Sequence, residues 1–139
     1  METLAVQLLD PRAQLPQKSH ETDAGFDLYA LNMVRFQPGI IRVRTGIAIA
    51  LPVGYAAWIQ GRSGATTRGV VVYQGLIDPE YRGELLVMVQ MQPGCVGIGG
   101  GERFAQLVPF ACPPMQVRPV TTLPPTERGV QGFGSTGRN

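Results

Sequence analysis

Glycine and proline, at 18 and 12 of 139 residues, cut this chain into short pieces and leave little uninterrupted stretch for a long helix. Glycine opens backbone geometries closed to other residues, and proline withdraws an N–H donor, so both concentrate at turns and strand ends. Pro38-Gly39, Pro52 to Gly54 and Pro93-Gly94 fall between aliphatic runs at fairly regular intervals. That is the punctuation of short antiparallel strands. Leu4 to Leu9, Tyr55 to Ile59, Val70 to Tyr73, Leu85 to Met91 and Phe104 to Phe110 read as strands. From Ile40 to Leu51, Ile41, Val43, Thr45, Ile47 and Ile49 alternate with Arg42 and Arg44, which predicts one half-buried strand. Only Ser63 to Arg68 suits a short helical turn, and no internal repeat stands out. The expected fold class is all-β: an antiparallel jelly roll or distorted β-barrel with at most one short helix.

Beyond Phe110 the composition shifts. Pro113, Pro114, Pro119, Pro124 and Pro125 space out an extended, semi-rigid arm that leads into the glycine-rich stretch Arg128-Gly-Val-Gln-Gly-Phe-Gly-Ser-Thr-Gly137. The expected division is a barrel with its arm over residues 1–125 and a flexible tail over 126–139. The tail places one large apolar ring, Phe133, among exposed N–H groups, two hydroxyls and the guanidinium of Arg128. A segment this rich in glycine builds no core for the ring. A nucleotide satisfies both halves of it, with a base for Phe133 and phosphates for Arg128, Gly134, Ser135 and Thr136. A disordered tail accounts for the same composition without a ligand.

The net charge of +2 is too small to draw nucleic acid or a membrane surface by bulk attraction. No apolar run reaches the length needed to cross a bilayer, and Met1-Glu-Thr-Leu4 lacks the basic-then-apolar pattern of a secretory signal. The expected compartment is therefore the cytoplasm or nucleus. Cys95 and Cys112 lack metal-ligand spacing and are expected to be reduced, buried small residues. The single histidine, His20, lies in a polar loop and is expected to be solvated, which argues against Ser-His-Asp chemistry or a histidine metal site.

Several segments carry candidate chemistry. In Gly75-Leu-Ile-Asp-Pro-Glu-Tyr-Arg-Gly-Glu84, Asp78 and Glu80 flank Pro79 at the expected tip of a β-hairpin. A carboxylate held there can orient a water and take its proton, and Tyr81 offers a flat wall; an acidic turn accounts for the same residues without chemistry. Gly61-Arg-Ser-Gly64 sets Arg62 beside a hydroxyl and two glycines, a combination suited to phosphate. Arg103 and Gln106 in Gly101-Glu-Arg-Phe-Ala-Gln-Leu107 share that character. Asp23-Ala-Gly-Phe-Asp27 opens a strand with two carboxylates suited to a hydrated cation. Neither a Walker lysine pattern nor a Rossmann glycine pattern is present.

Taken together and in order, these segments resemble the motifs of the trimeric all-β dUTPase family. Residues 23–30 look like its first motif, 61–64 the second, 75–84 the third, 101–107 the fourth and 128–137 the fifth. The resemblance implies hydrolysis of dUTP to dUMP and pyrophosphate, with Mg²⁺, in a homotrimer of jelly-roll subunits sharing three active sites. It implies that Asp78 holds the attacking water, with Asp27 and Gln106 completing the catalytic set. Tyr81 would press on the deoxyribose and refuse a 2′-hydroxyl, and the segment containing Tyr73, Gln74, Gly75 and Ile77 would read uracil. Arg62, Ser63, Gly64 and Gln106 would hold phosphates. Arg128, Gly134, Ser135 and Thr136 would close over them while Phe133 stacks on the base. The ion would be held by phosphates and waters, with Asp27 acting indirectly and no direct protein ligand. Gly61 stands where the family's second motif usually begins with proline, and Tyr73 and Gln74 stand where many members carry an asparagine. A dCTP deaminase and a non-catalytic nucleotide-binding or signalling module of the same fold are the competing readings.

Overall fold

In the computed structural model, which describes residues 1–134, the chain runs through eleven short strands and one helix. In order these are β1 (Ala5–Leu8), β2 (Phe26–Tyr29), β3 (Val34–Arg35), β4 (Ile40–Arg44), β5 (Ile47–Ala50) and β6 (Tyr55–Gly61), then α1 (Ser63–Thr67), β7 (Val70–Val72), β8 (Gly75–Ile77), β9 (Leu86–Met91), β10 (Gly97–Ile98) and β11 (Arg103–Ala111). Every strand pairing is antiparallel, in sheets ordered β2-β11-β6-β8, β4-β9-β7, β1-β5 and β10-β3. This is the all-β jelly roll with a single short helix.

Alternation does most of the building. Along β9, Val87, Val89 and Met91 are buried while Leu86 and Met88 are exposed, as period-2 side-chain direction requires. Their buried faces meet Leu28, Val43, Ile59, Phe104 and Leu107 in one core. Glycines close the turns: Gly39, Gly54 and Gly94 hold φ of +82°, +84° and +93°, the left-handed region that side chains avoid.

Two expectations about the strands need correction. Ile40 to Leu51 is not one strand. Gly46 turns the chain with φ +73°, so β4 pairs with β9 in one sheet and β5 with β1 in another. The periodic pattern continues across the break because both strands face the same core. Likewise, Asp78 does not sit at the tip of a two-stranded hairpin. The strand before it, β8, pairs with β6, and the strand after it, β9, pairs with β4 and β7. Asp78 to Leu85 is thus a loop crossing between sheets, pinned at its far end where the Leu85 N–H donates to the Ile47 carbonyl (2.9 Å) and the Thr45 hydroxyl donates to the Leu85 carbonyl (2.7 Å).

After β11 the chain leaves the barrel. Met115, Val117, Leu123 and Val130 are exposed, in keeping with an extended arm. Cys112, expected to be buried, is exposed because it lies where the arm departs; Cys95 is buried as expected, and both are free thiols.

Candidate active site

Strand register brings together residues that the sequence separates. In the four-stranded sheet, Gln106 of β11 lies opposite Asp27 of β2 on one side and Gln60 of β6 on the other. The next residue but one after Gln60 is Arg62, at the entry to α1, so the first, second and fourth segments meet at one end of this sheet. Arg62 Nε forms an ion pair with Asp27 Oδ1 at 2.7 Å, and Arg103 Nη1 lies 3.6 Å from Asp27 Oδ2. Asp27 is buried, and a buried carboxylate is tolerable only when paired in this way. Arg62 Nη1 also donates to the Arg103 carbonyl (3.3 Å), and Gln106 Nε2 donates to the Gly61 carbonyl (2.9 Å).

These side chains border a cleft of about 290 Å³ lined by Ser19, Asp23, Ala24, Gly25, Asp27, Arg62, Ser63 and Gln106. Its lining sets the Arg62 guanidinium, the Ser63 hydroxyl and the Gln106 amide, all donors suited to oxyanions, beside the carboxylates of Asp23 and Asp27, with Arg103 behind Asp27. Ser63 opens the one-turn helix on the cleft wall, followed by Gly64, where an added Cβ would meet nothing within 4 Å. Asp27, Arg62, Ser63 and Gln106 are therefore assembled in a single cleft.

Asp23 departs from its expected use. Its Oδ2 accepts from the His20 N–H (2.9 Å) and lies 3.4 Å from His20 Nδ1, so the two carboxylates of the first segment serve different partners. His20 is largely solvated, as expected, but is paired. Arg103 acquires a definite place beside Asp27. Ser19 is a lining residue with no motif to mark it, and Gly25 is required by packing: a Cβ there would fall 2.4 Å from Gln106 Oε1.

The remaining candidates lie elsewhere on the chain. Asp78 is exposed on the crossing loop, and the Tyr81 N–H donates to its carbonyl (3.2 Å). Tyr81 is partly exposed, and its hydroxyl donates to the Glu84 carbonyl (2.9 Å). Tyr73 and Gln74 are exposed between β7 and β8, with the Tyr73 hydroxyl donating to Gln90 Oε1 (2.6 Å). Gly75 and Ile77 lie in β8 opposite Ile59 and Ala57. None of these lines the cleft. In the tail, Arg128 Nε donates to the Gln131 carbonyl (2.7 Å), Gly134 has φ +77°, and the Phe133 ring is fully exposed. Ser135 and Thr136 lie outside the described residues.

Among the described residues, no group of three or more His, Cys, Asp or Glu could grip a metal ion. Among the same residues, no helix is long and apolar enough to cross a membrane.

Fold and site define an all-β protein with a polar cleft at one sheet end and an exposed aromatic ring beyond its extended arm. Residues 11–137 match the sequence model of the dUTPase family. The chain is 44% identical to deoxyuridine 5′-triphosphate nucleotidohydrolase of Corynebacterium diphtheriae, across 98% of this chain and 93% of that one. With the enzyme of the same description from Gloeobacter violaceus the identity is 43%, covering 96% of each. Among solved structures, the dUTPase of Staphylococcus bacteriophage 80alpha with dUpNHpp superposes with a TM-score of 0.90 at 28% identity, over 99% of this chain and 100% of that one. The dUTPase of phage phi11 of S. aureus, described for its coordination of a structural Mg(II) ion, gives 0.79 at 26% identity, over 86% and 97%. The chain belongs to the dUTPase family.

Proposed function

We propose that this chain hydrolyses dUTP to dUMP and pyrophosphate. The observation that carries the reading is the cleft that gathers the Arg62 guanidinium, the Ser63 hydroxyl and the Gln106 amide around Asp27. A triphosphate brings nearly four negative charges, and donors fixed before it arrives stabilise the further charge that develops at phosphorus. In this reading Asp78 accepts a proton from a water, whose oxygen bonds to the α-phosphorus as the bond to the α–β bridging oxygen breaks. Such a displacement asks for positioning more than for covalent catalysis, in keeping with a chain that has no serine–histidine pair in its cleft.

The site is divided within one chain, because Asp78 and Tyr81, the cleft, and the tail are carried by separate parts of the fold. A homotrimer resolves the division: one subunit supplies the cleft, a second the Asp78 loop, and a third its tail across the extended arm. The functional units are then the barrel with arm, residues 1–125, and the tail, residues 126–139. Tyr81 lies along the deoxyribose, the Tyr73–Ile77 segment reads uracil, and Phe133 closes on the base with Arg128, Gly134, Ser135 and Thr136 on the phosphates. Its substrate belongs to the free nucleotide pool, which supports a cytoplasmic or nuclear location.

The donor set suits Mg²⁺ carried in on the phosphates. Asp27 spends only part of its acceptor capacity on Arg62 and Arg103 and can meet the ion's waters, with no direct protein ligand. When bound, the ion neutralises phosphate charge.

Replacing Asp78 by asparagine keeps the side chain's shape and removes its basicity. Turnover is expected to fall by ~10²–10⁴-fold, the range typical of a lost general base, with binding of a non-hydrolysable dUTP analogue retained. Unchanged pyrophosphate release would reject Asp78 as the base.

A further inference from the structure

The Tyr81 ring is held by residues that lie outside the cleft. Its hydroxyl donates to the Glu84 carbonyl at 2.9 Å, so the side chain folds back over its own loop. It can do so only because residue 83 has no side chain: a Cβ at Gly83 would lie 2.3 Å from the Tyr81 oxygen and 2.6 Å from Cζ. Gly83 is not in the left-handed region, so its glycine is required by the ring and not by the backbone. Glu84 is in turn fastened to the barrel. Its carboxylate accepts from Arg44 Nε (3.0 Å) and Nη2 (3.0 Å), a forked pairing, and from the Gly46 N–H (3.2 Å). Arg44 ends β4 and Gly46 makes the sheet-crossing turn, so the ring's resting place is referred to the rigid sheet 40 residues earlier in the chain.

We propose that Arg44, Glu84 and Gly83 are positioning residues that set how close the Tyr81 ring stands to the sugar, and thereby how strongly the site refuses ribonucleotides. The inference rests on the reading of Tyr81 as the sugar wall. Refusing a single hydroxyl by contact depends on tenths of an ångström, and a ring on a crossing loop has no such accuracy unless the loop is braced. Forked arginine–carboxylate pairing supplies direction as well as attraction, which a lysine at residue 44 would not reproduce. None of the three residues lines the cleft, so none is expected to touch phosphate.

The test compares kcat/KM for dUTP and UTP in wild type, Arg44→Met, Arg44→Lys, Gly83→Ala and Tyr81→Ala, with thermal midpoints measured in parallel. Arg44→Met keeps the apolar stem and removes the fork. It is expected to lower the dUTP:UTP preference by about tenfold, mostly through increased use of UTP, with Arg44→Lys restoring only part of it. Gly83→Ala, which displaces the ring without disturbing Arg44, is expected to lower the preference at least as far. A lowered thermal midpoint with the preference intact in both Arg44→Met and Gly83→Ala would show a merely structural brace and overturn the proposal. Tyr81→Ala separates the two readings. If it abolishes the preference while the bracing variants do not, only the positioning role fails; if it leaves the preference intact, the sugar-wall reading fails and takes this proposal with it.

Discussion

Gln106 shows how much of the cleft depends on single atoms. Its amide reaches the Gly61 carbonyl at 2.9 Å only because Gly25 leaves room beside it. A methyl at Gly25 would displace the end of the Gln106 side chain, whose Oε1 and Cδ would lie 2.4 and 3.2 Å from it, and so move the amide from its place in the cleft. Gly25→Ala is therefore expected to reduce kcat/KM for dUTP by about 10–100-fold while the protein stays folded, as for a misplaced positioning group. Steady-state kinetics alongside circular dichroism checks this; full activity would mean the amide can move without consequence. The sequence disclosed Arg62, Ser63 and Gln106 as residues suited to phosphate and Asp27 as one suited to a hydrated cation, but not that Gln106 and Asp27 are opposite one another on paired strands. That knowledge lies in the register, fixed by long-range pairing and by the irregularity between Arg103 and Ala105. Ser19 had no signal at all, since an isolated serine in a polar loop is unremarkable in any sequence.

The elements were legible where they were long enough to repeat. Six residues of β9 and seven of β6 display a burial pattern that a reader can find. The two-residue strands β3 and β10 cannot, because two residues hold no period. The break at Gly46 was hidden for the opposite reason: alternation persisted through a change of sheet. The loop from Asp78 to Leu85 was recognisable as a turn from Asp, Pro and Gly, yet its role as a crossing between sheets depends on partners far away in sequence. Its anchorage has a pH signature. Hydrogen bonding from Arg44 foremost, with the Gly46 N–H adding to it, holds the Glu84 carboxyl below its ordinary value of 4.5, against partial burial and the nearby charge of Asp10. A depressed carboxyl contributes stability that is present above the unfolded-state value and is lost as pH falls through the folded one. Arg44→Met is thus expected to be less stable than wild type at neutral pH, with the difference shrinking as pH drops below 4.5. Chemical denaturation at stepped pH reads this directly, and a gap that stays constant into acid would contradict the linkage. Asp10, brought down to about 2 by the hydrogen bond from Arg12, is partly exposed beside that arginine, and solvent screening reduces its weight in that balance.

At the scale of the whole molecule, the proposed homotrimer answers the separation of cleft, crossing loop and tail within one chain. The proline-spaced arm, exposed along its length with Met115, Val117 and Leu123 facing solvent, suits a segment that lies against another copy. Chains carrying Asp78→Asn and chains lacking residues 129–139 are each expected to be nearly inactive. Unfolded together in equal amounts and refolded, they are expected to recover about a quarter of wild-type activity, the share of sites that random assembly gives an intact Asp78 from one chain and an intact tail from another. No recovery would place both contributions in the same subunit. The central claim, that this cleft and its loops hydrolyse the deoxyuridine triphosphate in particular, is tested most directly by pyrophosphate release from dUTP, dTTP, dCTP and UTP, with and without Mg²⁺. The account predicts rapid release from dUTP in the presence of Mg²⁺ and little from the other three. Folded protein that leaves dUTP intact under those conditions, or that consumes all four alike, would contradict it.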